Sequence, residues 1–410
     1  MAWAAPGALG SRHFGGVRIL HVSDCFLPRL GGIEVQVDEL ARAQRDAGHD
    51  VAIATATPCH DAARPPDGLG EGLAEGFAGE PLPVDRLVTP MPWELPIGRS
   101  IAPILGGRKP DVVHIHAGAV SPFAWRAVHR AQRSGLPIVL TVHSLWGPVS
   151  QAVHRGLFAG WTRRPGGLVV TAVSEAAATP IRRVVDGRLP VRVVANGIDT
   201  SQWHDFAQAA RAHAPVRLRA HRHEREPVHV VAVGRLAPRK EPMNLLRLLR
   251  EAEAHAPIRA TIVGEGPARA RMERYLRRHR MTGWVRLTGR LDRSGVRKVL
   301  AGADLFLAPA SRESFGLAAL EARLAGLPVV AQAGSGVADF VESGSEGLLG
   351  HTFPEMSAAL LRLARDHRLR RRIASHNRTT EPAACTWPAV LASFDDCYDL
   401  AAAKTPLAHL

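Results

Sequence analysis

The chain is 410 residues long, 46% hydrophobic and 22% charged. That is the balance of a folded globular protein with room for two or three domains, not of a disordered or fibrous one. No run approaches about 18 uninterrupted apolar residues, so no transmembrane helix is expected. The Ala/Gly-rich start lacks the basic-then-apolar order of a signal peptide and reads as a loose tail. The formal net charge of +14 would suit nucleic acid or an anionic membrane. It is concentrated, however, in an excess of eight positive charges over residues 265–298 and six over 362–378. Both stretches read as helices with solvated basic faces, and no aromatic platform is interleaved with the arginines, so nucleic acid is not an expected partner. Cys25, Cys59, Cys385 and Cys397 show no metal-like or redox spacing, which fits a reducing cytosol.

Residues 17–22 form a short β-rich run, the first buried strand. It leads into Gly31-Gly32-Ile33-Glu34 and a helical pattern with Ile33, Val37, Leu40 and Ala41 on one face and Gly48 as the stop. Residues 51–54 are the second strand. A glycine turn after the first strand of a βαβ unit stands where open α/β sheets bind ligands. Gly31-Gly32 would let the backbone approach a diphosphate, although a plain turn explains the pair equally well. Residues 57–83, rich in Pro, Gly and acidic side chains, read as a long surface loop. Residues 111–116 read as a strand whose alternation points His114 and His116 the same way, with His116 at the C-terminal end. Residues 138–143 repeat that design with His143 at the mouth. Two more strands end at Ser174-Glu175 and at Asn196-Gly197-Ile198-Asp199. One histidine at a strand end is usually structural; several polar strand ends on one edge point to a site.

Residues 200–227 lose periodicity and read as a linker, with His213, His221 and His223 solvated. A second α/β series opens with a strand over 228–233 running into Gly234-Arg235-Leu236 and Lys240, then a helix from about Pro242. Residues 260–263 end at Gly264-Glu265-Gly266-Pro267, and 285–287, 305–308 and 329–331 are further strands. The stretch from Ser311 to Ala322 reads as loop then helix, with Glu313 in the loop and Glu321 inside the helix. The N–H groups around Gly316 and Leu317 are left unpaired at the helix start, where they favour an anion. Trp387-Pro388 and an apolar helix through Phe394 and Tyr398 read as a closing element packing back across the domains.

Taken in order, these features resemble family 4 retaining glycosyltransferases over about residues 17–400. The resemblance implies an α/β GT-B fold, two Rossmann-like doubly wound domains facing each other across a cleft. Its parts would be a tail at 1–16, an acceptor-side domain at 17–200, a linker at 201–227, a nucleotide-sugar-binding domain at 228–385, and a crossing helix and tail at 386–410. It also implies transfer of a hexosyl group to a hydroxyl by front-face attack, the departing phosphate helping to deprotonate the acceptor. Arg235 and Lys240 would hold the diphosphate. Gly31, Gly32, Gly234, Gly264, Ser314, Phe315, Gly316 and Leu317 would complete the donor cradle. Glu313 would bind hexose hydroxyls, Glu321 the ribose, and His116 the sugar near the reacting centre. Glu34, His143, Ser174 and Asn196 would shape the acceptor side. No Asp-x-Asp metal motif stands near these residues, so neither a metal nor another cofactor is expected, the basic cluster serving instead. One departure is Glu241 after Lys240, where many relatives carry glycine.

The Gly-Gly-Ile-Glu variant, with Phe26-Leu27-Pro28 upstream, is similar to members of the phosphatidylinositol N-acetylglucosaminyltransferase type. That favours a UDP-sugar over GDP-mannose and admits a lipid-linked acceptor, with polyol and natural-product acceptors open. Trp146, Phe158 and Trp161 near Arg155, Arg163 and Arg164 are candidates for docking on an anionic membrane at its cytoplasmic face; ordinary core aromatics are the competing reading. A non-hydrolysing sugar-nucleotide epimerase of the same fold is the alternative function, and a non-catalytic nucleotide-sugar-binding scaffold a weaker one.

Overall fold

The computed structural model describes residues 16–29, 31–59, 81–89, 97–164, 166–201, 203 and 226–405. Residues 1–15 of the expected tail, most of the expected surface loop, most of the linker with its three histidines, and residues 406–410 lie outside the described residues.

Two parallel sheets organise the chain. The first has seven strands: β1 (Arg18–Ser23), β2 (Asp50–Thr55), β3 (Val84–Arg86), β4 (Val112–Ala117), β5 (Ile138–Val142), β6 (Leu168–Ala172) and β7 (Val191–Val193). Their order is β3-β2-β1-β4-β5-β6-β7. The second has β8 (Val228–Val233), β9 (Ile258–Val263), β10 (Val285–Gly289), β11 (Leu305–Ala308), β12 (Val329–Gln332) and β13 (Gly347–Gly350), in the order β10-β9-β8-β11-β12-β13. The central strands are near-continuous apolar runs because helices cover both faces of a parallel sheet. In the first domain these are α1 (Gly32–Asp46), α2 (Ala102–Arg108), α3 (Pro122–Arg133), α4 (Pro148–Trp161) and α5 (Glu175–Val185). In the second they are α6 (Pro242–Glu253), α7 (Arg269–Arg278), α8 (Arg293–Ala301), α9 (Leu317–Leu324), α10 (Phe353–Arg365) and α11 (His367–Thr379). This is the doubly wound α/β architecture expected of the sequence. The short edge strand β3 and the Gly-Leu-Leu-Gly strand β13 carry little β-branched signal, which is why pattern alone passes over them.

Strand order reverses once in each sheet, between β1 and β4 and between β8 and β11. Such switch points open a crevice at the strands' C-terminal ends, and the Gly31-Gly32 loop after β1, the Gly234-Arg235 turn after β8 and the Glu313 loop after β11 leave from them. The last helix, α12 (Trp387–Lys404), follows the second sheet but packs on the first. It buries Val390, Phe394, Cys397, Tyr398 and Ala401 against Ile19, Val51, Val112, Val139 and Val169. Among the described residues no helix is long and apolar enough to cross a membrane, and all four cysteines are free.

The basic faces are exposed as expected, at Arg271, Arg274, Arg277 and Arg278 of α7 and at Arg368, Arg371 and Arg372 of α11, while Arg269 bonds Glu265 and Glu273 and Arg293 of α8 reaches Glu39 of α1 at 2.8 Å. The membrane-docking expectation needs correction. Trp146, Phe158 and Trp161 are buried in the first domain's core, where Trp146 stacks on His154 at 3.8 Å and Phe158 meets Trp161 edge-on. Their apolar area is spent on α4's own packing and leaves none for a membrane.

Candidate active site

The second domain supplies a charged turn. β8 runs into Gly234-Arg235, and a single helical turn, Pro238–Lys240, follows. Lys240 donates to the Glu313 carboxylate, both side chains half-buried. Arg235 is exposed, and its guanidinium makes no hydrogen bond or ion pair among the described residues. Glu241, at the position of the departure, adopts a left-handed backbone (φ 53°, ψ 45°), a conformation glycine enters without strain. Here the side chain compensates, since its carboxylate accepts from Asn244 Nδ2 at 2.8 Å and from the Ser311 N–H at 3.0 Å. Gly264 and Gly266 pack against this turn. A Cβ on Gly264 would run into the Gly234 carbonyl, and one on Gly266 would lie 2.5 Å from the Leu236 carbonyl.

Gly316 begins α9 with φ 100°, and a Cβ there would lie 2.6 Å from Val337 Cγ2, so both torsion and space require glycine. Ala319 and Leu320 direct their N–H groups to the Gly316 carbonyl, which leaves those of Leu317 and Ala318 unused by the helix itself. Phe315 points away from the cleft into the core, its ring 5.2 Å from Phe340. Ser314 contributes its carbonyl, which accepts from Ser174 Oγ of the first domain at 2.6 Å. Glu321 is half-buried one turn further along. Burial pushes its carboxyl up to about 7, with Arg293 and Arg297 pulling it down and Glu39 adding to the rise.

The first domain faces this turn. A Cβ on Gly32 would rest 3.8 Å from Leu317 Cδ1, so the glycine loop lies opposite the start of α9. A Cβ on Gly31 would overlap the carboxylate of Glu34, itself buried and 3.5 Å from Arg29. Ser174 caps α5, accepting from Ala177 N at 3.1 Å, while bridging to Ser314. Its hydroxyl therefore joins the domains instead of standing free for an acceptor. Asn196 lies beside Gly197, which packs on Trp387, and shares a small cavity with His116, His143 and Phe394.

His116 is 2% exposed and its two ring nitrogens are occupied, by His21 Nδ1 at 2.9 Å and by His143 Nε2 at 3.0 Å. A sugar contact from His116 would have to displace one of these. His143, half-buried at the end of β5, is the outermost ring of the group. Sequence reasoning missed His21, Gln44 and Tyr398, which complete this cluster. The available signal was register: His21 and His114 pair directly across β1 and β4, so polar residues in the middle of two adjacent buried strands share a face.

The sequence matches the model of Glycosyltransferase Family 4 over residues 30–202 and that of Glycosyl transferases group 1 over 217–380, one for each sheet. The chain is a glycosyltransferase of this group. Its similarity to a glycogen synthase of Mycobacterium tuberculosis is 29% identity over 356 residues, 81% of this chain and 82% of that protein. A phosphatidylinositol N-acetylglucosaminyltransferase polypeptide of Homo sapiens is 28% identical over 339 residues, 81% of this chain and 65% of its own length. Among solved structures, Anabaena HepE in complex with UDP and glucose superposes with a TM-score of 0.69 at 18% identity, over 93% of this chain and 99% of that one. The glycosyltransferase thus has the GT-B fold and moves a sugar from a nucleotide sugar to an acceptor, and it resembles the phosphatidylinositol N-acetylglucosaminyltransferase members.

Proposed function

We propose that this glycosyltransferase transfers a hexosyl group from a UDP-sugar, with retention and without a metal ion, to a hydroxyl of a lipid-linked, polyol or natural-product acceptor. The observation that carries the reading is the meeting of Lys240 and Glu313 beside the Gly234-Arg235 turn, at the second switch point and opposite Gly32. Cleaving the glycosyl–diphosphate bond builds negative charge on the leaving group and oxocarbenium character on the sugar. A preorganised ammonium, a guanidinium fork and open helix amides are aimed at the first of these. In the free protein the Lys240 charge is held by Glu313. A bound diphosphate would compete for it, turning the Glu313 carboxylate toward the hexose hydroxyls. The departing phosphate oxygen then accepts the acceptor's proton as the new bond forms on the same face.

The UDP-sugar reading is supported by the HepE complex, which holds UDP and glucose, and by the N-acetylglucosaminyltransferase relative. That relative's phosphatidylinositol also supports a lipid acceptor. On this chain α4 exposes Val149 by 78% and Val153 by 47%, next to Arg155, a small face suited to an anionic bilayer. A thermal-shift panel of UDP-, GDP-, ADP- and TDP-sugars tests the donor, because a ligand that binds the folded state raises its stability by mass action. Stabilisation by UDP-sugars alone is expected, and stabilisation by GDP-mannose alone would overturn that part. NMR of the product should show the donor's anomeric configuration, with transfer unchanged in EDTA; an inverted product or strict metal dependence would refute the mechanism. Flotation with anionic vesicles at low salt should carry the protein, and Val149→Ser/Val153→Ser should weaken it; no flotation removes the membrane contact.

A further inference from the structure

One face of the first sheet carries a buried line of polar side chains that the chemistry above does not use. His143 Nε2 is 3.0 Å from His116 Nδ1, His116 Nε2 is 2.9 Å from His21 Nδ1, and His21 Nε2 is 2.7 Å from Gln44 Oε1. Gln44 Nε2 then donates to Tyr398 Oη at 2.6 Å, and that hydroxyl lies 2.8 Å from His114 Nδ1. His114 Nε2 is 2.7 Å from Thr141 Oγ1, which is 2.6 Å from Thr171 Oγ1. Five elements of the first sheet's layer, β1, β4, β6, α1 and α12, meet in this line together with β5 and the residue that follows it. His21, His114, His116, Gln44 and Thr171 are all 2% exposed or less.

Burial lowers all four imidazoles, His21 and His143 to about 4 and His114 and His116 well below their ordinary value. Each ring is therefore neutral near pH 7 and carries one N–H and one lone pair. Gln44 presents its carbonyl oxygen, which can only accept, so His21 must hold its hydrogen on Nε2. The bare His21 Nδ1 then requires the hydrogen of His116 on Nε2, and the bare His116 Nδ1 requires that of His143 on Nε2. The proton order propagates from the amide to the outermost ring. There the remaining atom, His143 Nδ1, has no partner among the described residues and is not closed off from solvent.

We infer that Gln44 and His21 are positioning residues that lock the tautomers of His116 and His143, so that His143 Nδ1 meets the cleft as a fixed lone pair and accepts a hydrogen bond from a substrate hydroxyl. This rests on the transferase reading for the identity of the hydroxyl, whereas the tautomer order rests on the orientation of the Gln44 amide, with Oε1 toward His21 and Nε2 toward Tyr398. Gln44 also bounds what the line does. An amide oxygen does not relay a proton onward, so the rings orient and polarise one another without conducting protons through the domain. The same four histidines explain why His21, His114 and His116, whose nitrogens lie within 4.8 Å of one another, do not need a metal: each of their ring nitrogens already faces a hydrogen-bond partner.

The test is imidazole nitrogen NMR on the full chain labelled with ¹⁵N-histidine, with the His143 resonance assigned by its loss in His143→Gln. The expected result is a neutral Nε2–H ring for His143 at pH 7 and a shift of its Nδ1 when UDP-glucose is added. Gln44→Leu should mix the two tautomers and lower kcat/KM for the donor roughly tenfold, the size of one lost hydrogen bond. A hydrogen on His143 Nδ1, or resonances that move on chelation because a metal sits among the rings, overturns the inference. So does an Nδ1 that ignores a donor shown to bind by thermal shift. If the tautomers are as stated but no UDP-sugar binds, the donor reading fails and the locked line remains.

Discussion

On the proposed function Lys240, Arg235 and Glu321 would face the same ligand in different electrostatic conditions, and their substitutions should fail differently. The Arg235 side chain is exposed and bonded to nothing among the described residues, so Arg235→Ala should leave stability within about 0.5 kcal/mol. Turnover should nonetheless fall by about 10²-fold or more, as when a preorganised donor is removed from a developing anion. Lys240→Ala should lose as much turnover and some stability too, because it strands the half-buried Glu313 carboxylate. Urea titrations beside kcat/KM separate the two, and near-wild-type turnover in both variants would break the site assignment. Glu321 gives a pH signature. Its carboxyl titrates at about 7 in the folded chain, above the ordinary carboxylate value, so the folded state binds more protons than the unfolded one between the two. Its contribution to stability therefore falls as pH rises through that window. If Glu321 holds the ribose as proposed, its ionised carboxylate would accept from two hydroxyls where a protonated one accepts less well, so donor affinity should rise from pH 6 to 8. Calorimetric titration with UDP should show that slope in the wild type and a flat profile in Glu321→Gln; a flat wild-type profile would remove Glu321 from the ribose.

At the scale of elements, the strands were legible because burial on both faces leaves a continuous apolar run, and the turns because glycine punctuates them. What those glycines do was not legible, since each answers to a distant partner: Gly264 to Gly234, Gly197 to Trp387, Gly316 to Val337. The donor cradle was marked as a run of consecutive residues, yet the loop alternates, Ser314 turned to the other domain and Phe315 to the core. The histidine line was half visible, because His114 and His116 share a strand while Gln44 and Tyr398 stand 354 positions apart. Glu241 is the sharpest case. It marked a departure from the resembling family, and its left-handed backbone and its bonds to Ser311 and Asn244 give the reason it is tolerated. Glu241→Ala keeps the strain and loses the bonds, so chemical denaturation should show a loss of about 1–2 kcal/mol. Glu241→Gly loses the bonds but relieves the backbone and should cost less. Equal losses would mean that the torsion carries no strain.

At the scale of the whole molecule, the two domains share one continuous apolar cluster, with Val173 and Ala177 on one side and Phe315 and Val337 on the other, and polar bonds join them around the cleft. Ser174 Oγ reaches the Ser314 carbonyl, the Glu175 N–H reaches Asp339 at 2.7 Å, and Arg293 reaches Glu39. The first of these bonds ends on the backbone between Glu313 and α9, so it couples the spacing of the domains to the shape of the loop that carries Glu313. The two domains also share α12, which leaves the second sheet and packs on the first. Interfaces between domains of one chain permit relative motion, and a donor that touches both sides would favour the closed arrangement by its differential affinity. Combining Ser174→Ala with Glu39→Gln should therefore enlarge the radius of gyration measured by small-angle X-ray scattering without ligand, while thermal unfolding changes little. Saturating UDP-glucose should restore the wild-type radius, at a weaker apparent affinity because part of the binding energy now goes into closure. An unchanged radius in the ligand-free double variant would mean that α12 and the buried core alone hold the cleft, with the cross-domain bonds following the closed geometry instead of maintaining it.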